Sequence, residues 1–223
     1  DNDAFDVARD IKGKFPNIHC VVLTPFSHGI TKRMQNEDLS IFDYVFCWLG
    51  NTNLILSIIK LIEDKMNLEH DIQEAGVQMI LLVEDSIRFY SSILPNLYNY
   101  ILEQSKNFSQ EALNRHAATM RMRGRPKVVL ARTYEEAQKL YDKYSDNTLG
   151  VISDARFPLK SAAKAFGNEV MPEEKPKHRT DTFGREKCPD AGLQLFRYIR
   201  KNDPFVPLII ESSESENRAK AEA

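Results

Sequence analysis

Two hydrophobic patterns take turns along this chain. Short apolar runs stand at Ile18–Leu23, Phe42–Leu49, Met79–Val83, Val128–Ala131, Leu149–Ile152 and Pro207–Ile210. Each is the length of a buried strand and is bounded by turn-forming or polar residues. Between them apolar residues recur at helical spacing. Phe5, Val7, Ala8 and Ile11 mark one helix, and Leu54, Ile55, Ile58, Ile59 and Ile62 a second that runs to about Met66. Ile87, Tyr90, Ile93, Leu94, Leu97, Tyr98 and Ile101 mark a third, from Ser86 to about Gln104, in which Pro95 predicts a kink or break. A further helical piece is expected from Ser109 to about Met120. Tyr134–Tyr144 follows a capping box made by Thr133 and Glu136, and Ala191–Arg200 is the last full helix. Shorter helical starts are read at Thr31–Asn36 and Ser215–Ala223.

Strands alternating with helices imply parallel βαβ units. The expected fold is α/β, a doubly wound, mostly parallel sheet in a three-layer αβα sandwich. Glu69–Gly76 is polar and is the candidate boundary, giving units of residues 1–70 and 78–223. Residues 160–189 are polar, with several charges and prolines, and are expected to form a mobile surface insertion.

Composition narrows the class. The 223 residues are 42% hydrophobic and 28% charged, as in a soluble globular protein. A net charge of -2 gives no global pull towards nucleic acid or membrane. No apolar run approaches membrane-span length, and Asp-Asn-Asp-Ala-Phe5 is no signal peptide. The chain lacks an initiator Met, so it reads as cut from something longer. Cys20, Cys47 and Cys188 are odd in number and far apart, which suits a reduced, cytoplasmic setting.

The candidate chemistry lies at strand ends. Met79–Val83 delivers Glu84 and Asp85, and Gly150-Val-Ile-Ser-Asp154 delivers Asp154. In a parallel sheet strand C-termini share one edge, where ligands bind. Neighbouring strands would bring the three carboxylates into one pocket of hard oxygen donors suited to Mg²⁺. Taken alone, Glu84-Asp85 would be a helix N-terminal cap more often than a metal site.

Four segments in order carry a family resemblance: Leu81-Leu-Val-Glu-Asp85, then Val151-Ile-Ser-Asp-Ala-Arg-Phe-Pro158, then Asp190-Ala-Gly-Leu193 with Tyr198-Ile-Arg-Lys-Asn-Asp203, then Val206-Pro-Leu-Ile-Ile-Glu-Ser212. Residues 78–223 thus resemble the receiver domain of bacterial response regulators, with its five-stranded CheY-like sheet. The resemblance implies that Asp154 is the phosphoacceptor, Asp85 and Glu84 the Mg²⁺-binding acids, Arg156 a metal ligand through its backbone carbonyl, and Ser212 the contact to the phosphoryl group. Residues 4–66 resemble the C-terminal half of a second, degenerate receiver, with Ile18-His-Cys-Val-Val-Leu-Thr24 as fourth strand and Phe42-Asp-Tyr-Val-Phe-Cys-Trp48 as fifth. The tandem, the Phe26-Ser-His-Gly-Ile30 segment and the insertion are most similar to the receiver-like N-terminal region of bacterial phosphoenolpyruvate synthase and pyruvate phosphate dikinase-type proteins.

Two departures stand out. The insertion is long, and the chain stops before the family's fifth strand and its lysine. The fragment alone is therefore expected to accept phosphate poorly unless another segment or a second copy supplies the charge. Phe42–Met66 is one candidate to close the sheet beside Leu208–Ile210, by permutation or by exchange between chains. The implied partners are a histidine kinase or phosphotransfer protein, a downstream kinase-type region of the parent chain, and a possible second copy. The chain itself is not expected to be an enzyme.

Other readings stay beside this one. A receiver fold serves equally as a non-phosphorylated structural or dimerisation module. A phosphate hydrolase with Asp154 as nucleophile would want a second acid two residues on, where Arg156 stands. Arg123-Gly-Arg-Pro126 resembles the core of a minor-groove AT-hook, but it occurs once in a chain of balanced charge, so a basic loop entering the next strand is favoured over DNA binding. His28 is read as a loop histidine.

Overall fold

The computed structural model of the chain describes residues 3–25, 41–160, 180–181 and 185–212. The helical starts at 31–36 and 215–223, His28 and most of the 160–189 insertion lie outside the described residues.

The elements follow the two periodicities closely. In chain order they are α1 (Ala4–Lys14), β1 (Val21–Thr24), β2 (Tyr44–Cys47), α2 (Asn53–Ala75), β3 (Met79–Val83), α3 (Ile87–Gln110), α4 (Arg115–Arg123), β4 (Lys127–Ala131) and α5 (Tyr134–Tyr144). A 3-10 turn at Ser145–Asn147 leads into β5 (Thr148–Asp154), β6 (Phe157–Pro158), β7 (Lys187–Cys188), α6 (Ala191–Asn202) and β8 (Leu208–Glu211). The fold is α/β. Its main sheet has four strands, all parallel, in the order β4-β3-β5-β8.

Both faces of this sheet are covered, and the period of two along each strand decides which core a residue enters. Leu82, Val128 and Leu130 face a core shared with Ile87, Tyr90, Leu94 and Tyr98 of α3. Leu81, Val83, Val129 and Ala131 face the other, with Ala137 and Tyr141 of α5 and Leu195 and Ile199 of α6. Such two-sided burial accounts for the near-continuous apolar runs of β3 and β4.

Three local readings are revised. The second helix does not end near Met66. Leu68 and Ile72 carry its apolar stripe into the second core, so the polar stretch at 69–75 is its solvent face. It stops at Gly76, whose left-handed backbone (φ 61°) lets its N–H reach the Asp71 and Ile72 carbonyls. Pro95 does not end α3, which continues to Gln110 with the proline ring buried. The next helix starts late, at Arg115, because Asn114 caps it by accepting from the Ala117 N–H at 2.8 Å.

The N-terminal segments do not form a separate core. Phe42, Tyr44, Phe46, Leu54 and Leu61 share theirs with Leu82, Ile87, Tyr90 and Tyr98. The Tyr90 hydroxyl donates to the Val45 carbonyl, and the Cys47 N–H donates to Ser91 Oγ at 2.9 Å. The idea that Phe42–Met66 closes the sheet beside β8 in its own chain is therefore corrected. β2 pairs in parallel with β1, and aromatic packing ties it to α3, with the Phe46 and Tyr90 rings edge-on and their centroids 5.4 Å apart. Among the described residues β8 is an edge strand, paired only with β5.

A buried ion pair fastens α2 to β4. Asp64, fully buried, receives two hydrogen bonds from Arg125 at 2.7 and 3.1 Å, one from the Tyr98 hydroxyl and one from the Val128 N–H, both at 2.9 Å. Arg123-Gly-Arg-Pro126 is accordingly not an extended basic arm. Arg123 is the last residue of α4, not part of an extended arm, and Arg125 is 5% exposed and committed to Asp64. No helix among the described residues is long and apolar enough to cross a membrane.

Candidate acidic site at the carboxyl edge of the sheet

β3 and β5 are neighbours in register, with Val83 opposite Ser153. Their C-terminal ends therefore open side by side. Glu84 and Asp85 follow the last residue of β3, and Asp154 is the last of β5. Ligand oxygens of all three lie within 4.8 Å of one another. Glu84 and Asp85 are buried and Asp154 is half-buried. The convergence expected from the strand ends is what the fold builds.

Local bonds set each carboxylate. The Glu84 N–H donates to the Ala131 carbonyl at 3.0 Å, extending the β3–β4 ladder by one residue. Glu84 Oε1 accepts from the Ser86 N–H at 2.9 Å, which combines a strand end with a helix start. Asp154 Oδ1 accepts from the Ala155 N–H at 2.7 Å, and the Arg156 N–H also stabilises its charge. Asp85 differs. It is fully buried, yet neither of its oxygens receives a well-directed hydrogen bond among the described residues. The ammonium of Lys187 lies 2.7 Å from its Oδ2, an ion-pair contact without the alignment of a hydrogen bond.

Clustered, dehydrated carboxylates resist ionisation. Burial pushes the Glu84 carboxyl up to about 8, with Asp154 and Asp85 adding to the rise against the Ser86 N–H and Lys187. Burial raises Asp85 to about 6, and Lys187 opposes that rise. Burial raises Asp154 as well, opposed by the Ala155 N–H and by Lys187. A divalent cation would relieve all three. The donor set is hard oxygen, Asp85 Oδ1 is buried without a partner among the described residues, and the spacing is within reach of one ion, so these residues fit Mg²⁺.

The remaining expected residues fall at the same edge. Arg156 stands in the short connection between β5 and β6. Ser212 is exposed and follows Glu211, the residue of β8 in register with Asp154. The Ala155 N–H donates to the Glu211 carbonyl at 3.1 Å, which ties the two strand ends together.

The residue that pattern reasoning missed is Lys187. It belongs to the stretch read as a surface insertion, and that reading is corrected for its described end. β7 pairs antiparallel with β6, matching Phe157 with Cys188 and Pro158 with Lys187. Upstream, Thr180 bridges to Glu186, and Arg185 pairs with Asp181 at 2.6 Å. The pairing with β6 places Lys187 at the carboxyl edge, beside Asp85. Only the alternation around Phe157 could have hinted at a strand, and a two-residue strand is below what periodicity resolves.

Against protein-family models, curated proteins and solved structures, the chain has no match.

Proposed function

We propose that the chain is a receiver-type phosphoacceptor module in which Asp154 takes a phosphoryl group. One observation carries the reading: Glu84 and Asp85 from one parallel strand and Asp154 from its neighbour meet within 4.8 Å at the carboxyl edge of the sheet. The strand order β4-β3-β5-β8 is compatible with a CheY-like sheet lacking its last strand. On this reading residues 1–70 are the C-terminal half of a degenerate receiver, and the parent is a phosphoenolpyruvate synthase or pyruvate phosphate dikinase-type protein. The donor would be a histidine kinase or a phosphotransfer protein.

The chemistry is an in-line displacement. A carboxylate oxygen of Asp154 attacks phosphorus, and the bond from phosphorus to the donor's imidazole nitrogen breaks. The leaving nitrogen keeps the electron pair, and an acyl phosphate remains on Asp154. Positioning and charge neutralisation supply most of the catalysis in such a transfer. Glu84, Asp85, Asp154 and the Arg156 carbonyl would hold Mg²⁺, which supplies positive charge against the phosphoryl oxygens. The Ala155 and Arg156 N–H groups orient Asp154 and favour its ionised form against the effect of burial. Ser212, at the end of β8, would donate to a phosphoryl oxygen.

Incubation with labelled acetyl phosphate tests this. Incorporation should require Mg²⁺ and disappear in Asp154→Asn. A folded chain that takes up no label under any divalent ion would leave the second reading, a receiver fold used only for docking or dimerisation. The exposed edge of β8, where Ile209 is 55% accessible, is the observation that favours it.

A further inference from the structure

Lys187 lies outside every segment that carries the receiver resemblance, yet it makes the ion-pair contact to the acidic site. Its ammonium touches Asp85, and its charge also favours the ionised forms of Glu84 and Asp154. It comes from β7, a strand of two residues held by two others, Phe157 and Pro158. Those follow Asp154 by only a few positions. The cation is therefore mounted on a small lever whose other arm begins at the acceptor.

We propose that Lys187 and a divalent cation compete for Asp85, so that ion occupancy of the site and docking of the β6–β7 hairpin are linked. This rests on the reading of Glu84, Asp85 and Asp154 as an ion site. Asp85 is fully buried, and its Oδ1 has no partner among the described residues, so the pocket offers a cation more than Lys187 uses. A divalent ion drawn to Asp85 meets the Lys187 charge at contact distance. Two cations beside one buried carboxylate repel strongly where water is scarce. Lys187 would then retreat from Asp85 towards Asp154, whose ionised form it already favours. The hairpin moves with it.

The movement has a route outwards. Cys188 adjoins Lys187, and Gln194 Nε2 of α6 lies 3.6 Å from its sulfur. Gly192 N–H donates to the Ala155 carbonyl at 3.1 Å, so the start of α6 rests on the loop after Asp154. The hairpin and the first turn of α6 are the surface that would report occupancy.

Two readouts test the linkage on the full chain: Mn²⁺ affinity, and the alkylation rate of Cys188 followed by peptide mass. Lys187→Gln should bind Mn²⁺ about tenfold tighter than the wild type, since a repelling charge at contact is gone. Lys187→Arg, which keeps the charge, should stay near the wild-type affinity. Mn²⁺ should speed Cys188 alkylation in the wild type, whereas Lys187→Gln should react fast with or without it. Equal Mn²⁺ affinities with an unchanged Cys188 rate would overturn the competition and leave the ion site standing. Absence of Mn²⁺ binding in the wild type and both variants would remove the ion site itself, and the competition with it.

Discussion

Gly192 sits directly under Asp154: a Cβ at position 192 would come within 2.4 Å of the Asp154 carbonyl oxygen and 3.1 Å of Ala155 Cα. Both are backbone atoms, so no side chain can swing away. Only glycine lets the start of α6 approach the acceptor strand this closely. Gly192→Ala should displace the loop after Asp154, cost about 1–3 kcal/mol and weaken divalent-ion binding. Urea denaturation and Mn²⁺ titration would measure the two effects. An alanine variant with wild-type stability and affinity would contradict this packing.

Asp64 and Arg125 form the other critical pair. Arg125 is 5% exposed, and Asp64 is fully buried with its oxygens shared among Arg125, Tyr98 and the Val128 N–H. Arg125→Ala strands a buried carboxylate, and the expected loss is about 3–5 kcal/mol. Chemical denaturation gives the number. A loss no larger than that of an exposed arginine would mean the pair is not buried in solution. Salt-dependent DNA binding should be absent in the wild type.

The acidic site makes stability fall as pH rises when no divalent ion is present. Glu84 is raised to about 8 and Asp85 to about 6 in the folded chain, above their ordinary values of 4.5 and 3.8. The native state thus holds protons that the unfolded state has released. Unfolding free energy should decline between about pH 4 and pH 8 from this source. Ion binding must displace those protons, so Mg²⁺ affinity should climb across the upper part of the same range and level off above it. Denaturation in EDTA and with Mg²⁺, at several pH values, should give curves that diverge as pH rises. Parallel curves would contradict the shared protons.

Asp154→Asn removes one of the repelling charges. In EDTA at neutral pH it should melt at a higher temperature than the wild type, and Glu84 should titrate at lower pH. With Mg²⁺ the order should reverse, because the variant has lost a ligand. Calorimetry with and without the ion measures both. A melting temperature unaffected by Mg²⁺ in either chain would contradict ion binding at these residues.

Legibility in the sequence tracked the range of the signal. β3 and α5 could be bounded to the residue, because a two-sided strand and a capped helix each carry their pattern within one window. Glu84, Asp85 and Asp154 were visible because they end apolar runs, and a parallel sheet puts such ends together. Asp64 looked like one more polar position on a helix, since its partner Arg125 lies far along the chain. Lys187 was hidden more thoroughly. Its strand is too short for a period, and only the turn back from Phe157 brings it to Asp85. Leu68 and Ile72 were lost among charged neighbours, which moved the end of α2.

The central claim is an acyl phosphate on Asp154, and the most direct measurement is the location and chemistry of the label. After reaction with labelled acetyl phosphate and Mg²⁺, the chain would be digested and the labelled peptide identified, with and without hydroxylamine. The account predicts label on the peptide containing Asp154, released by hydroxylamine as acyl phosphates are. A hydroxylamine-stable label on another residue, or label on a folded, Mg²⁺-binding chain no greater than on Asp154→Asn, would contradict it.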